Sequence, residues 1–354
     1  MRFKMCIMLA SIIVTSFLLS GCFGGVEVND RAFVQIMGID KFSDVYSVSL
    51  QLYQPSGNGT PDTESENSIC INGEGKDLNS AISACEVRSG NKIFLGHLKS
   101  IILGNGIASP ADELNTLISL RSNFGTVPLS CPVFYSYAPF EITSLISKEG
   151  LYSAEHLTDL IKSNSDFGKT FYAPVCGILR ADLHPAGYKA IPDVYINGDD
   201  AAFDGAVIKK DGLYDIKLND NELKGYIILS DSFKKGSRLL IGTDENASAE
   251  ILCSKSCITA ENADGKLVIN AQITLKLSIP DNFTDKHKAA SGVCTAVRDN
   301  CIAAYSKTAW ENGIDIFDIY SAVRRCCPEM LDDTDFSKLL RESVISVKVT
   351  AKSA

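Results

Sequence analysis

Residues 266–279, KLVINAQITLKLSI, alternate apolar and polar side chains over nearly their whole length, Val268 being the exception. Leu267, Ile269, Ala271, Ile273, Leu275 and Leu277 share one face, and Asn270, Gln272, Thr274 and Lys276 the other. A period of two this long fixes a strand with one wet and one dry face, so something apolar must cover the dry one. The cover follows in sequence. From Asp285 to Asn312 the residues Ala290, Val293, Cys294, Val297, Cys301, Ala304 and Thr308 fall on one helical stripe. Gly313 suits the stop of that helix, and a second helix in DIFDIYSAVRRCC ends before Pro328. Ile345, Val347, Val349 and Ala351 then alternate with polar residues in a closing strand. Residues 229–354 are therefore expected to form an antiparallel sheet under a helical layer.

The front of the chain mixes the two periods. RAFVQIMGID and VYSVSLQLYQP read as strands joined at KFSD, and PSGNGTPDTESENS as an exposed loop. A helix capped by Asp77 puts Leu78, Ile82 and Cys85 on one face. KIFLGHLKSIILG reads as one buried strand, SPADELNTLISLRSN as a helix and PLSCPVFYSY as a further strand. In the middle, SAEHLTDLIKSN is helical, AAFDGAVI and LYDIKL are strands about a turn at Lys209–Gly212, and NDNELKGYIIL opens on a cap at Asn219 or Asp220. The fold class expected is α+β and multi-domain, with mixed or antiparallel sheets and packed helices. Its units are 22–150, 151–228 and 229–354.

Ahead of these units lies a basic start, Met1-Arg2-Phe3-Lys4, and an uncharged apolar run from Met5 to Leu19. At ~1.5 Å per residue the run reaches about 22 Å, short of a ~30 Å hydrocarbon core. It suits an export signal, residues 1–21, better than a permanent span. Leu19-Ser20-Gly21-Cys22 resembles the bacterial lipobox, with small residues before a thiol. On that resemblance Cys22 is the lipidation site, followed by a Phe23-Gly24-Gly25 tether. Two acyl chains, at about 0.8 kcal/mol per buried methylene, anchor a protein stably.

The net charge of −9 argues against a nucleic-acid footprint and against basic-patch adhesion to anionic lipid. Ten cysteines follow Cys22, at 70, 85, 131, 176, 253, 257, 294, 301, 326 and 327. Most sit in apolar periodic segments, so small buried thiols are expected ahead of a disulfide framework. No C-x₂-C pair suggests zinc, and His97, His156, His184 and His287 form no metal-binding pair. No phosphate loop or nucleophile elbow occurs. Asp199-Asp200 and Asp332-Asp333 read as solvated turns, and Cys326-Cys327 beside Arg324-Arg325 as a helix end with one thiol inward. No catalytic residue, cofactor or metal is therefore assigned, and the chain is not read as an enzyme.

Several segments together resemble the Ger(x)C lipoproteins, the C subunits of spore germinant receptors. They are VEVNDRAFVQIMGIDK after the lipobox, LGHLKSIILG, FDGAVIKKDGLYDIKLNDNELKGYIIL and ENGIDIFDIYSAVRRCCPEM, in family order. The family's Trp-Asp after the cysteine is replaced by Phe23-Gly24. The resemblance implies a three-domain, lipid-anchored, non-enzymatic protein on the outer face of the spore inner membrane. It also implies assembly with membrane A and B subunits in nutrient-triggered germination, and leaves open whether the small-molecule nutrient is met directly or indirectly. The alternative is a lipid-anchored solute-binding protein of a transporter. That fold needs a doubly wound pattern with a cleft between two lobes, and the long one-sided strands weigh against it.

Overall fold

The computed structural model describes residues 30–353 apart from 55–66, 108–114, 121, 123–126, 149–153, 183–187, 199, 211–212, 234–238, 243–247, 281–284 and 333–334. Cys22 and the leader lie outside the described residues.

Arg31–Phe42 (β1) and Val45–Gln54 (β2) form the hairpin that their alternation predicts. Ser43, in the turn, takes φ 55. Asn67–Gly75 (β3) adds antiparallel to β2, partly where the sequence suggests a loop. Leu78–Ser89 (α1) opens on a reciprocal cap: Asp77 accepts from the Ser80 amide, and the Ser80 hydroxyl accepts from the Asp77 amide. Leu78, Ile82 and Cys85 are buried together on its inner face.

The segment read as one strand, 92–104, is two. Lys92–Phe94 (β4) and Ser100–Leu103 (β5) are separated by a turn at Gly96-His97. A Cβ on Gly96 would sit 2.5 Å from the Phe94 ring, so the chain folds back here over its own aromatic side chain. Val133–Tyr135 (β6) is all that extends of the strand expected at 128–137. Three helices follow: Pro139–Lys148 (α2), Ala154–Asp166 (α3) and Val175–Asp182 (α4). Ala190–Asn197 (β7), Asp200–Lys210 (β8) and Leu213–Leu218 (β9) continue the same sheet. Its order is β3-β2-β1-β5-β6-β7-β8-β9, with β4 beside β1. β1, β5, β6 and β7 run parallel, and the remaining pairs along that order are antiparallel. The strands of the middle segment thus extend the first sheet rather than building their own.

Asp220–Leu229 (α5) is capped by Asn219, whose side chain accepts from the amides of Asn221 and Glu222. It is buried from Leu223 through Leu229 with Lys224 as the exception, so it lies between layers rather than on a surface. Leu239–Gly242 (β10), Ser248–Ala263 (β11) and Lys266–Ser278 (β12) then pair antiparallel. Lys286–Tyr305 (α6) starts at the Asp285 cap, passes into a π-helical turn at Ser306–Trp310 and stops at Gly313, φ 66. Ile319–Cys326 (α7) and Phe336–Arg341 (α8) lead to Val344–Ser353 (β13).

Here the expectation of an antiparallel sheet is corrected: β13 runs parallel to β12, Val268 opposite Val344 through Leu277 opposite Ser353. The helical excursion between them is the crossover that a parallel pair requires. Every second residue of β12 from Leu267 to Leu277 is buried, as the alternation demands. α5 crosses α6 so closely that a Cβ on Gly225 would lie 2.1 Å from the Asn300 carbonyl oxygen. Tyr226, Tyr305 and Phe317 meet in the middle of this core, ring centroids 6.1 Å apart for both pairs with Phe317.

Candidate functional site

The first sheet has one point where chain order reverses: β2 and β3 lie to one side of β1, and β5 onward to the other. Open α/β sheets leave a crevice at such a point, outside the carboxyl ends of the parallel strands. A cleft of about 740 Å³ opens there. The end of β1 (Asp40–Ser43), the Asn105-Gly106 turn after β5 and the Tyr137–Glu141 entry to α2 form its walls. A second hollow of about 440 Å³ adjoins it over β7 and shares Tyr137, Ala138 and Glu141.

Asp40 builds the floor. Its Oδ1 accepts from the amides of Lys41 and Gly106, both at 2.8 Å. The turn after β5 closes on the carboxylate because it carries glycine twice: a Cβ on Gly104 would sit 2.2 Å from the Asp40 Cγ, and one on Gly106 1.6 Å from the Lys41 carbonyl oxygen. Burial pushes the Asp40 carboxyl above the ordinary carboxylate range, and the two amides oppose that rise. Across the second hollow, Lys217 Nζ lies 3.0 Å from Asp193 and 2.7 Å from Asp204. Burial raises the Asp193 pKa against the pull of Lys217. Burial also works against the Lys217 ammonium, but the two carboxylates outweigh it and raise its pKa.

The rim is apolar. Phe42 is 66% exposed and Tyr137 80%, and Phe140, Val45, Tyr195 and Ile196 are also exposed. A cluster of large exposed apolar side chains marks a surface that meets a partner. Asp40 is held by amides and Asp193 by Lys217, so these two carboxylates are committed to holding the walls, and Glu141 and Asp215 also line the hollows. The open cleft and its apolar rim suit binding.

The residues singled out in the sequence fall elsewhere. Cys22, Asp199, Asp333 and His184 lie outside the described residues, as does the side chain of His156. His97 packs against Phe33 and Phe94, ring centroids 5.3 and 5.8 Å away. The His287 amide donates to Asp285 at the start of α6. Cys326 is exposed and Cys327 buried, one thiol inward as expected. Burial, then Glu329 and Cys326, push the Cys327 thiol up. All ten described cysteines are free, but Cys176, Cys253, Cys257 and Cys326 are exposed rather than packed as small apolar residues. Among the described residues no group of three or more His, Cys, Asp or Glu could hold a metal ion, and no helix is long and apolar enough to cross a membrane.

Sequence reading missed the aromatic rim. The signal was present in FYSYAPF, residues 134–140, where four aromatic residues crowd a short stretch. Phe134 and Tyr135 are buried in β6, while Tyr137 and Phe140 come out on the rim.

Two sequence-family models match the chain. Residues 24–176 match the spore germination protein N-terminal domain, and residues 204–352 the spore germination B3/GerAC-like C-terminal domain. A putative spore germination protein, YfkR of Bacillus subtilis (strain 168), is 24% identical over 290 residues, which cover 75% of this chain and 72% of that protein. The crystal structure of the GerBC protein superposes with a TM-score of 0.56 at 17% identity, over 90% of this chain and 96% of that one.

Proposed function

The chain belongs to the Ger(x)C family of spore germination proteins, and from that premise we propose that it is the lipid-anchored, non-enzymatic C subunit of a germinant receptor. The observation that carries the reading is the pair of family matches, which together span most of the chain in the family's own order. In this reading Cys22 bears the lipid, and the body stands outside the bilayer on the spore inner membrane. The unit offers the aromatic rim of the strand-end cleft to its membrane partners, the A and B subunits. Aromatic side chains at the centre of an interface carry a disproportionate share of binding energy. Tyr137 and Phe140 are then the anchors, and the bond from the Ser136 amide to the Leu103 carbonyl oxygen holds their loop beside β5.

The test combines fractionation with co-purification from spore membranes. Cys22→Ala should move the protein out of the membrane fraction and lower germination. Tyr137→Ala with Phe140→Ser should leave the protein folded and on the membrane but reduce recovery of the A and B subunits by about tenfold or more. Normal germination in a deletion strain, with no A or B subunit recovered by the parent protein, would refute the assignment.

A further inference from the structure

A third hollow, of about 420 Å³, lies away from the strand-end cleft, where the first sheet meets the carboxyl-terminal half. α4 contributes Arg180, the approach to β7 contributes Tyr188 and Lys189, the turn into α7 contributes Asp315 and Asp318, and α7 itself Ser321. The Tyr188 amide donates to the Asp315 carbonyl oxygen at 3.3 Å, so the two halves are stitched together at its wall.

Two cations line this space. Lys189 is half-buried and Arg180 exposed, and neither has a hydrogen-bond or ion-pair partner among the described residues. An ammonium withdrawn from water beside another cation is costly unless an anion compensates it. Burial, and then Arg180, push the Lys189 pKa down, with Asp318 opposing them. Asp315 makes no ion pair with either cation: its carboxylate accepts from the amides of Phe317 and Ile319 at 3.0 Å and Tyr320 at 2.8 Å. Those bonds also occupy the first amides of α7, so positive potential in the hollow comes from the two side chains. Asp318 sits at the same wall in the left-handed region, φ 60, a strained backbone of the sort found at binding sites.

We propose that this hollow binds a small organic carboxylate, clasped by the Arg180 guanidinium and the Lys189 ammonium across the junction of the two halves. A planar carboxylate matches the guanidinium fork. A single negative charge fits better than a dianion, because Asp315 and Asp318 already bring carboxylates to the wall. The volume is that of a small-molecule site, and a junction between units is a common place for one.

The test uses the full chain, with acetate exchanged against chloride at constant ionic strength, and thermal unfolding as the readout. Acetate should raise the melting temperature of the parent protein. Arg180→Met and Lys189→Met should each weaken the apparent affinity by about tenfold, yet be at least as stable as the parent without acetate, because each removes a cation that has no hydrogen-bond or ion-pair partner among the described residues. On the unaltered protein, acetate should also slow reductive methylation of Lys189, read by peptide mass mapping; this arm needs no variant to fold. An equal acetate response in parent and both variants, or no protection of Lys189, would overturn the site. Phosphate binding as tightly as acetate would overturn the carboxylate assignment. A glutamate-containing peptide binding more tightly than acetate would overturn the small-molecule one.

Discussion

Three short segments that carry the family resemblance turn out to be structural fittings, each for a different reason. Gly38 is glycine because a Cβ would lie 2.4 Å from the Ser49 hydroxyl; Ile39 is buried core; Asp40 ties the turn after β5 to β1. His97 closes an aromatic cluster with Phe33 and Phe94. Asp315 gathers three amides at the start of α7, and Phe317 joins the Tyr226–Tyr305 cluster. A lone sequence shows such residues as marks without showing what they hold, since their partners lie far off in the chain, 66 positions for Asp40 and Gly106 and 91 for Phe317 and Tyr226. Asp40 has a testable titration. Its folded pKa is raised, so the folded state holds the proton more tightly than the unfolded chain in the interval between the two values. Its contribution to stability is therefore full below the ordinary carboxylate range and declines as pH rises through the raised value. Asp40→Asn keeps an oxygen for the two amides and removes the charge, so urea unfolding across that interval should show a flatter pH dependence than the parent. The thiols make a second prediction at this scale. Burial pushes Cys85 and Cys301 up to about 12 and Cys131 higher still, whereas Cys176, Cys253, Cys257 and Cys326 are exposed. Iodoacetamide on the native protein should label the exposed four quickly and those buried three only after unfolding, with mass mapping as the check.

At the scale of elements, long periodic segments were legible and short buried ones were not. β12 and α6 followed their patterns because a period of two or 3.6 repeats many times in each. β5 has four residues and β6 three, too few for a period to register, and α2 was hidden behind its opening proline. The parallel pairing of β13 was not written in β13 itself, whose alternation serves either direction. The aromatic rim belongs to the same blind spot, since exposure at a strand end is set by where the strand stops. Two helical glycines test how far packing governs an element. Gly225→Ala would drive a Cβ into the α6 backbone and should cost about 1–3 kcal/mol. Gly292→Ala, in α6 with nothing within 4 Å of its Cβ, should gain about 0.5–1 kcal/mol from helix propensity. Parallel chemical denaturation of the two variants should place them on opposite sides of the parent; a shift in the same direction would mean that α5 and α6 do not cross as closely as described.

For the whole molecule, the two family matches end and begin on either side of β7, yet β7 belongs to the sheet of the first. That sheet continues through β8 and β9, and the core of the second half packs onto its far end through Ala190, Ala206 and Ile208. The strand ladder narrows at one place, where β6 meets β7 at a single paired position, Tyr135 opposite Asp193, while apolar packing of Val133 and Phe134 against Ile191 and Val194 crosses the same line. By contrast β1 and β2, or β11 and β12, are zipped along most of their length. In mechanical terms the sheet is two well-laddered plates whose hydrogen-bonded seam thins between them, apolar packing supplying the rest of the joint. A load applied between a tether at the amino terminus and a partner gripping the carboxyl-terminal half would be borne as shear across that seam and across the Arg180–Lys189 hollow. Strain would gather there while both plates kept their shape.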